Sequence, residues 1–232
     1  MVAVIGDIHG CLHTLQKLYL TIREKYPTIE IYSVGDLVDR GNFSFEVVEF
    51  VKTNGIKFTP GNHDYMMYYF IKHPTHRIGR PWLNNGYEPT LTSYSEHFDK
   101  LNEHLELIIK QPLFYNLSDC FISHAGIAER MKYFLPHNFS NIGFNLSEVI
   151  KSFIDDKEGI LWTRSILLNV GKLQIVGHTR KKEVFFDEKS NSAYIDTGVY
   201  TGNKLSAVIV DSNMVTDVLT ENTHDADIAV NY

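Results

Sequence analysis

Short apolar runs that stop abruptly at glycine and polar residues recur along this chain. Val2-Ala3-Val4-Ile5 runs into Gly6-Asp7-Ile8-His9-Gly10, and Ile29 to Val34 into Gly35-Asp36-Leu37-Val38-Asp39-Arg40-Gly41. Ile56 to Thr59 precedes Gly61-Asn62-His63-Asp64, Phe121-Ile122-Ser123 precedes His124-Ala125-Gly126, and Leu173 to Val176 precedes Gly177-His178-Thr179. Such runs predict buried strands. Between the first three, apolar residues return at helical spacing: Leu12, Leu15, Leu18, Tyr19 and Ile22, closed by Pro27, then Phe45, Val48 and Val51, closed by Asn54-Gly55. The first 64 residues thus predict a βαβαβ run. Its right-handed crossovers bring together the strand ends carrying Asp7, Asp36 and Asn62, the edge where open α/β sheets place their ligand sites.

From Tyr65 to Gln111 the pattern becomes two helical stretches, the second using Phe98, Leu101, Leu105 and Ile108. The loop between them, Pro74 to Pro89, is rich in Pro, Gly and Asn and is a candidate substrate lid. Further strands are predicted at Leu113 to Leu117, Cys120 to Ser123, Val184 to Phe186, Ala193 to Ile195, Leu205 to Asp211 and Met214 to Val218. The expected architecture is α/β: two packed mixed β-sheets flanked by helices, one domain over residues 1–232, with a helical insertion at about 65–111. The residues after Glu221 are polar enough to fray.

A chain of 232 residues can bury a substantial core unaided. Its two cysteines, Cys11 and Cys120, match no metal or redox spacing and read as free thiols. With no signal-peptide pattern at the start, a cytoplasmic location is expected. No run approaches a membrane span. The net charge of −6 argues against a nucleic-acid groove, which needs many Lys and Arg.

Asp7, His9, Asp36, Asn62, His124 and His178 form a mixed oxygen and nitrogen ligand set that suits borderline divalent metals. Manganese is expected, with iron or zinc as alternatives. Asp36 would bridge two ions, with Asp7 and His9 on one and Asn62, His124 and His178 on the other. Water shared by two cations ionises near neutral pH and can attack phosphorus in line. Arg40 and Arg164, the latter within Trp162-Thr163-Arg164, would grip phosphate oxygens as planar forks. His63 is the expected general acid, with Asp39 orienting its ring and favouring its charged form.

Each motif alone has an ordinary reading: a Gly-Asp turn, a helix cap, a satisfied core histidine. Their ordered co-occurrence is what argues for chemistry. His13, His73, His76, His97, His104, His137 and His224 have no such setting and read as surface or helix residues. Asp196, in Ile195-Asp196-Thr197-Gly198, reads as a turn residue.

In order and content, GDIHG, GDLVDRG, GNHD, HAG and GHT resemble the phosphoprotein phosphatase branch of the calcineurin-like metallophosphoesterases, from Ile5 to about Gly198. The resemblance implies the metallophosphoesterase fold, a dinuclear centre on the six ligands above, and Asp39, Arg40 and His63 beside it. Asp64 stands where many relatives carry glutamate. Trp82-Leu83-Asn84-Asn85-Gly86, followed by Thr90 and Tyr94, resembles the Trp-x-x-Asn-Gly-Gly segment of bacterial and phage-type serine/threonine phosphatases, with Tyr87 in place of the second glycine. The leading expectation is a manganese-dependent phosphomonoesterase acting on phosphoserine or phosphothreonine proteins or small phosphate esters. The alternatives are symmetrical cleavage of diadenosine tetraphosphate and a non-catalytic metal-binding module. The sequence is silent on oligomeric state.

Overall fold

The computed structural model describes residues 1–135 and 144–229, with the side chains of residues 144 and 145 left aside. His137 lies outside the described residues. Among those described, two five-stranded sheets form. The first runs β10-β9-β1-β2-β3 and uses β1 (Val2–Ile5), β2 (Glu30–Ser33), β3 (Lys57–Phe58), β9 (Lys204–Asp211) and β10 (Met214–Asn222). The second runs β4-β5-β6-β8-β7, from β4 (Phe114–Asn116), β5 (Phe121–Ser123), β6 (Gln174–Val176), β7 (Phe185–Asp187) and β8 (Ser192–Tyr194).

Both sheets are mixed. β1, β2 and β3 pair in parallel, as the βαβαβ pattern predicts, and β9 closes on β1 antiparallel. In the second sheet β5, β6 and β8 are parallel, with β4 and β7 antiparallel at the edges. Alternation along β1 explains why it reads as a continuous apolar run. Val2 and Val4 join Tyr32 and Val34 against Ile122, Ile175 and Ala193 of the second sheet. Ala3 and Ile5 face the other way, into a cluster with Leu15, Leu18, Ile22, Val47 and Val51. A strand covered on both faces has no polar side to show. The helices that cover it are α1 (Leu12–Lys25) and α2 (Ser44–Thr53).

The insertion is more ordered than its composition suggests. α3 (Asn62–Lys72) starts inside the Gly61-Asn62-His63-Asp64 motif itself. The Pro74 to Pro89 segment, expected as an irregular lid, instead holds a 3-10 turn at Arg80–Asn84 and leads into α4 (Glu88–Ser93). Its Trp82 is 1% exposed and packs beside Phe70, which ties the segment down. α5 (Leu101–Ile109) completes the insertion, and α6 (Phe144–Ser152) is a helix that the apolar pattern does not announce.

Among the described residues, the segment after Glu221, expected to fray, is tied down as far as Ala229. β10 runs to Asn222, and Asp227, fully buried, accepts from His13 N at 3.0 Å, Thr14 N at 2.8 Å and Thr14 Oγ1 at 2.6 Å. Cys11, the residue preceding α1, makes no side-chain cap. Asp227 therefore satisfies the helix's free amides from the far end of the chain.

Candidate active site

Strand ends and tight turns deliver the polar residues. Ile8 N and His9 N both donate to Asp36 O, at 3.1 and 2.7 Å, and Gly41 N donates to His9 O at 3.0 Å, so the first two motif loops are laced together. Asp64 joins the third: its Oδ2 accepts from Gly61 N at 2.8 Å and its Oδ1 from Leu37 N at 3.0 Å. Gly177 N donates to His124 O at 2.8 Å and links the last two. His9, Asp36, Asp39, Arg40 and His178 all adopt positive φ, between 45° and 75°. Such backbone costs free energy for non-glycine residues and persists where the surroundings over-determine it. Two glycines are sterically obligatory, since a Cβ on Gly61 would collide with the Asp36 carboxylate and one on Gly177 with that of Asp7.

All six expected ligands converge, each at most 7% exposed. Asp36 Oδ2 lies 3.5 Å from both His9 Nε2 and His124 Nε2, midway between two clusters: His9, Asp36 and His63 on one side, Asp7, Asp36 and His124 on the other. Ring tautomers follow from the bonds made behind the site. His9 Nδ1 donates to Val38 O at 2.9 Å and His124 Nδ1 to Val34 O at 2.8 Å, leaving both Nε2 lone pairs facing inward. His178 is reversed: Nε2 donates to Trp162 O at 3.1 Å and Nδ1 faces inward.

Asn62 Oδ1 then lies 2.9 Å from His124 Nε2 and 2.7 Å from His178 Nδ1. Three acceptors meet with no hydrogen among them. Protonating a ring would supply one, but burial pulls the His124 pKa down to about 4 and that of His178 well below its ordinary value. A cation resolves the conflict, because donors about 2.1 Å from one ion at right angles sit about 3 Å apart. The carboxylates make the same demand. Burial pushes Asp36 up to about 7 and Asp7 well above the usual range, with Asp196 adding repulsion on Asp7. Neither has a Lys or Arg within 4 Å among the described residues, so the ligand set fits divalent ions.

His63 Nδ1 lies 2.7 Å from Asp39 Oδ2, the expected dyad. Its electrostatics differ from expectation. Burial pushes Asp39 well above the carboxylate range and pulls His63 well below the imidazole range, with His9 and Arg40 adding to the latter, so Asp39 does not favour the imidazolium. Burial thus disfavours charge on both members of the pair.

Arg40 Nη1 donates to His9 Nε2 at 2.9 Å, the lone pair that a cation would use, so the two contacts exclude each other. Arg164 is exposed in a loop and donates to His178 O at 2.9 Å. Asp196 is a turn residue as expected, accepting from Gly198 N at 2.9 Å, but it also reaches the Asp7 field. Sequence reasoning gave no role to the contacts of Trp82 and Thr90 with Asp39. Trp82 Nε1 is 3.0 Å from both Asp39 oxygens, and Thr90 Oγ1 is 2.9 Å from Oδ1. Gly86 O accepts from Arg40 N at 2.8 Å, and Gly86 takes φ 84°. Tyr87, at φ −80°, needs no glycine.

Residues 1–179 match the family model described as calcineurin-like phosphoesterase. A bis(5'-nucleosyl)-tetraphosphatase PrpE [asymmetrical] of Bacillus subtilis is 28% identical over 235 residues, 88% of each chain. A symmetrical bis(5'-nucleosyl)-tetraphosphatase of Erwinia tasmaniensis is 44% identical over 63 residues, covering 26% of this chain and 23% of that one. Among solved structures, the cold-active protein-tyrosine phosphatase of a psychrophile Shewanella sp. superposes with a TM-score of 0.62 at 17% identity, over 96% of this chain and 80% of that one. That last likeness is one of fold.

Proposed function

This chain belongs to the calcineurin-like phosphoesterase family, and from that membership we propose that it hydrolyses dinucleoside polyphosphates, cutting the tetraphosphate bridge asymmetrically. The observation that carries the reading is the extent of the Bacillus subtilis match, 88% of both chains, beside a symmetrical relative matched over only 63 residues. It departs from the phosphoprotein reading and from symmetrical cleavage. The Trp82 segment had favoured phosphoproteins, but its indole serves Asp39, and a proton-transfer dyad is common to every ester this chemistry opens.

Asp7, His9, Asp36, Asn62, His124 and His178 would hold two divalent ions, manganese being the first choice. The chemistry supplied by such ions is acidification of solvent and neutralisation of phosphate charge. The chain's own groups do the rest. Arg40 and Arg164 bind non-bridging phosphate oxygens through paired N–H donors. His63 gives its Nε2 proton to the departing phosphate oxygen, and Asp39 returns one at Nδ1. Trp82 and Thr90 keep Asp39 from rotating away. Burial of every member excludes bulk water from the proton path.

The test is product analysis with manganese present. Diadenosine tetraphosphate yielding ATP and AMP supports the proposal. Two ADP would make the cut symmetrical, and faster phosphate release from a phosphoserine peptide would restore the protein phosphatase reading, which the Trp82 segment's resemblance favours.

A further inference from the structure

We propose that Arg180, seated on Tyr200 beside Arg40, forms a subsite for the phosphates of a polyphosphate chain that lie beyond the one being attacked. Arg180 follows the ligand His178 by two residues, and Tyr200 stands on the 3-10 turn Val199–Thr201. The Tyr200 ring lies 5.0 Å from the His9 ring, at the lip of the buried cluster. It carries two guanidiniums: Arg40 Cζ at 4.3 Å from the ring centroid and Arg180 Cζ at 6.0 Å, with Arg180 Nη1 also donating to the Tyr200 hydroxyl at 3.3 Å. Gly198, at φ 68°, makes this packing possible, since a Cβ there would lie 2.7 Å from Arg180 Cδ.

Charge is the second observation. Arg77 and Arg130 are paired with carboxylates. Among the described residues, Arg40, Arg164 and Arg180 have none within 4 Å, although the chain as a whole is at −6. Three unpaired guanidiniums around one buried centre concentrate positive potential where an anion enters. A single phosphoryl group is already served by two cations and the forks of Arg40 and Arg164. Arg180 is surplus to that need; it is exposed, lies 6.0 Å from the Tyr200 ring centroid and acts on the buried Asp196 carboxylate. Each additional phosphate in a chain brings another anionic group, which a planar guanidinium matches with two parallel donors. The ring beneath holds both cations at low entropic cost.

The inference rests on the polyphosphate reading but is separable from it. Orthophosphate and tripolyphosphate are compared as inhibitors of p-nitrophenyl phosphate turnover, with free manganese held constant. Their binding to a His63→Asn protein, which separates binding from turnover, is measured by calorimetry. The wild type binds tripolyphosphate more tightly than orthophosphate. Arg180→Ala shrinks that preference about tenfold or more, in keeping with loss of a charge-assisted contact, and Arg180→Lys shrinks it less. Equal weakening of both anions, or no chain-length preference in the wild type, overturns the subsite. If the preference follows Arg180 but no dinucleotide is cleaved, the subsite stands and the dinucleotide reading falls. If the dinucleotide is cleaved and the preference ignores Arg180, the reverse holds.

Discussion

The indole N–H of Trp82 is shared between the two carboxylate oxygens of Asp39, at 3.0 Å to each, and this contact joins the helical insertion to the Asp39–His63 pair. Thr90 reinforces it twice, donating to Oδ1 and accepting from Asp39 N, both at 2.9 Å. Asp39 is fully buried, and these protein groups hold it. The segment that reads as a candidate substrate lid in the sequence thus also holds Asp39 in place.

Trp82→Phe keeps most of the packing and removes the donor. A hydrogen bond to a charged or proton-sharing group is worth about 1.5–3 kcal/mol, so kcat should fall about 10–100-fold with KM nearly unchanged. The loss should be larger for an alkyl phosphate, whose leaving oxygen needs a proton, than for p-nitrophenyl phosphate. A raised KM with unchanged kcat would instead make Trp82 a substrate contact.

Asp227→Ala should destabilise the protein without touching the chemistry. It strips three hydrogen bonds from the start of α1 and leaves buried donors unpaired. The expected cost is about 2–4 kcal/mol, or about 4–16 °C in melting temperature at this size. Calorimetry of the two proteins in the same buffer measures it. A shift within a degree would mean that water replaces Asp227.

His104 should make stability fall on acidification. Its Nε2 donates to Glu49 at 2.6 Å and its Nδ1 accepts from the Tyr94 hydroxyl at 2.8 Å, so the neutral ring is fully satisfied. Burial holds its pKa below the ordinary 6.5 despite Glu49. The unfolded chain takes up the proton first, near 6.5, so stability is present above that pH and is lost as pH falls from there through the folded value. His104→Gln should be less stable than wild type at about pH 7.5, with the gap narrowing at about pH 5. A gap independent of pH would contradict this assignment.

Which parts of this were legible beforehand follows from how far apart the partners are in sequence. β1, α1, β2 and α2 announce themselves because a strand covered on both faces and an amphipathic helix leave local patterns. The convergence of the six candidate ligands was legible for a related reason: they cluster at the ends of apolar runs, and the fold brings those ends together. β3 reads longer than it is, because Ile56 and Thr59 are buried but outside the paired register, Thr59 adding only its N–H to Ser33 O. The clamp of Trp82 on Asp39, the cap of Asp227 on α1 and the stacking of Arg180 on Tyr200 span 43, 213 and 20 residues. No local periodicity encodes such contacts. The burial that shifts both Asp39 and His63 was illegible too, since burial is a property of the fold.

Whether the buried cluster holds two cations is read from the metal content of the protein. After purification with manganese and removal of free ions by gel filtration, elemental analysis should find two divalent ions per chain. Asp36→Asn should lose both, because Asp36 Oδ2 is 3.5 Å from a ligand nitrogen of each cluster. A folded wild type that carries none, or an Asp36→Asn protein that keeps two, would contradict the account.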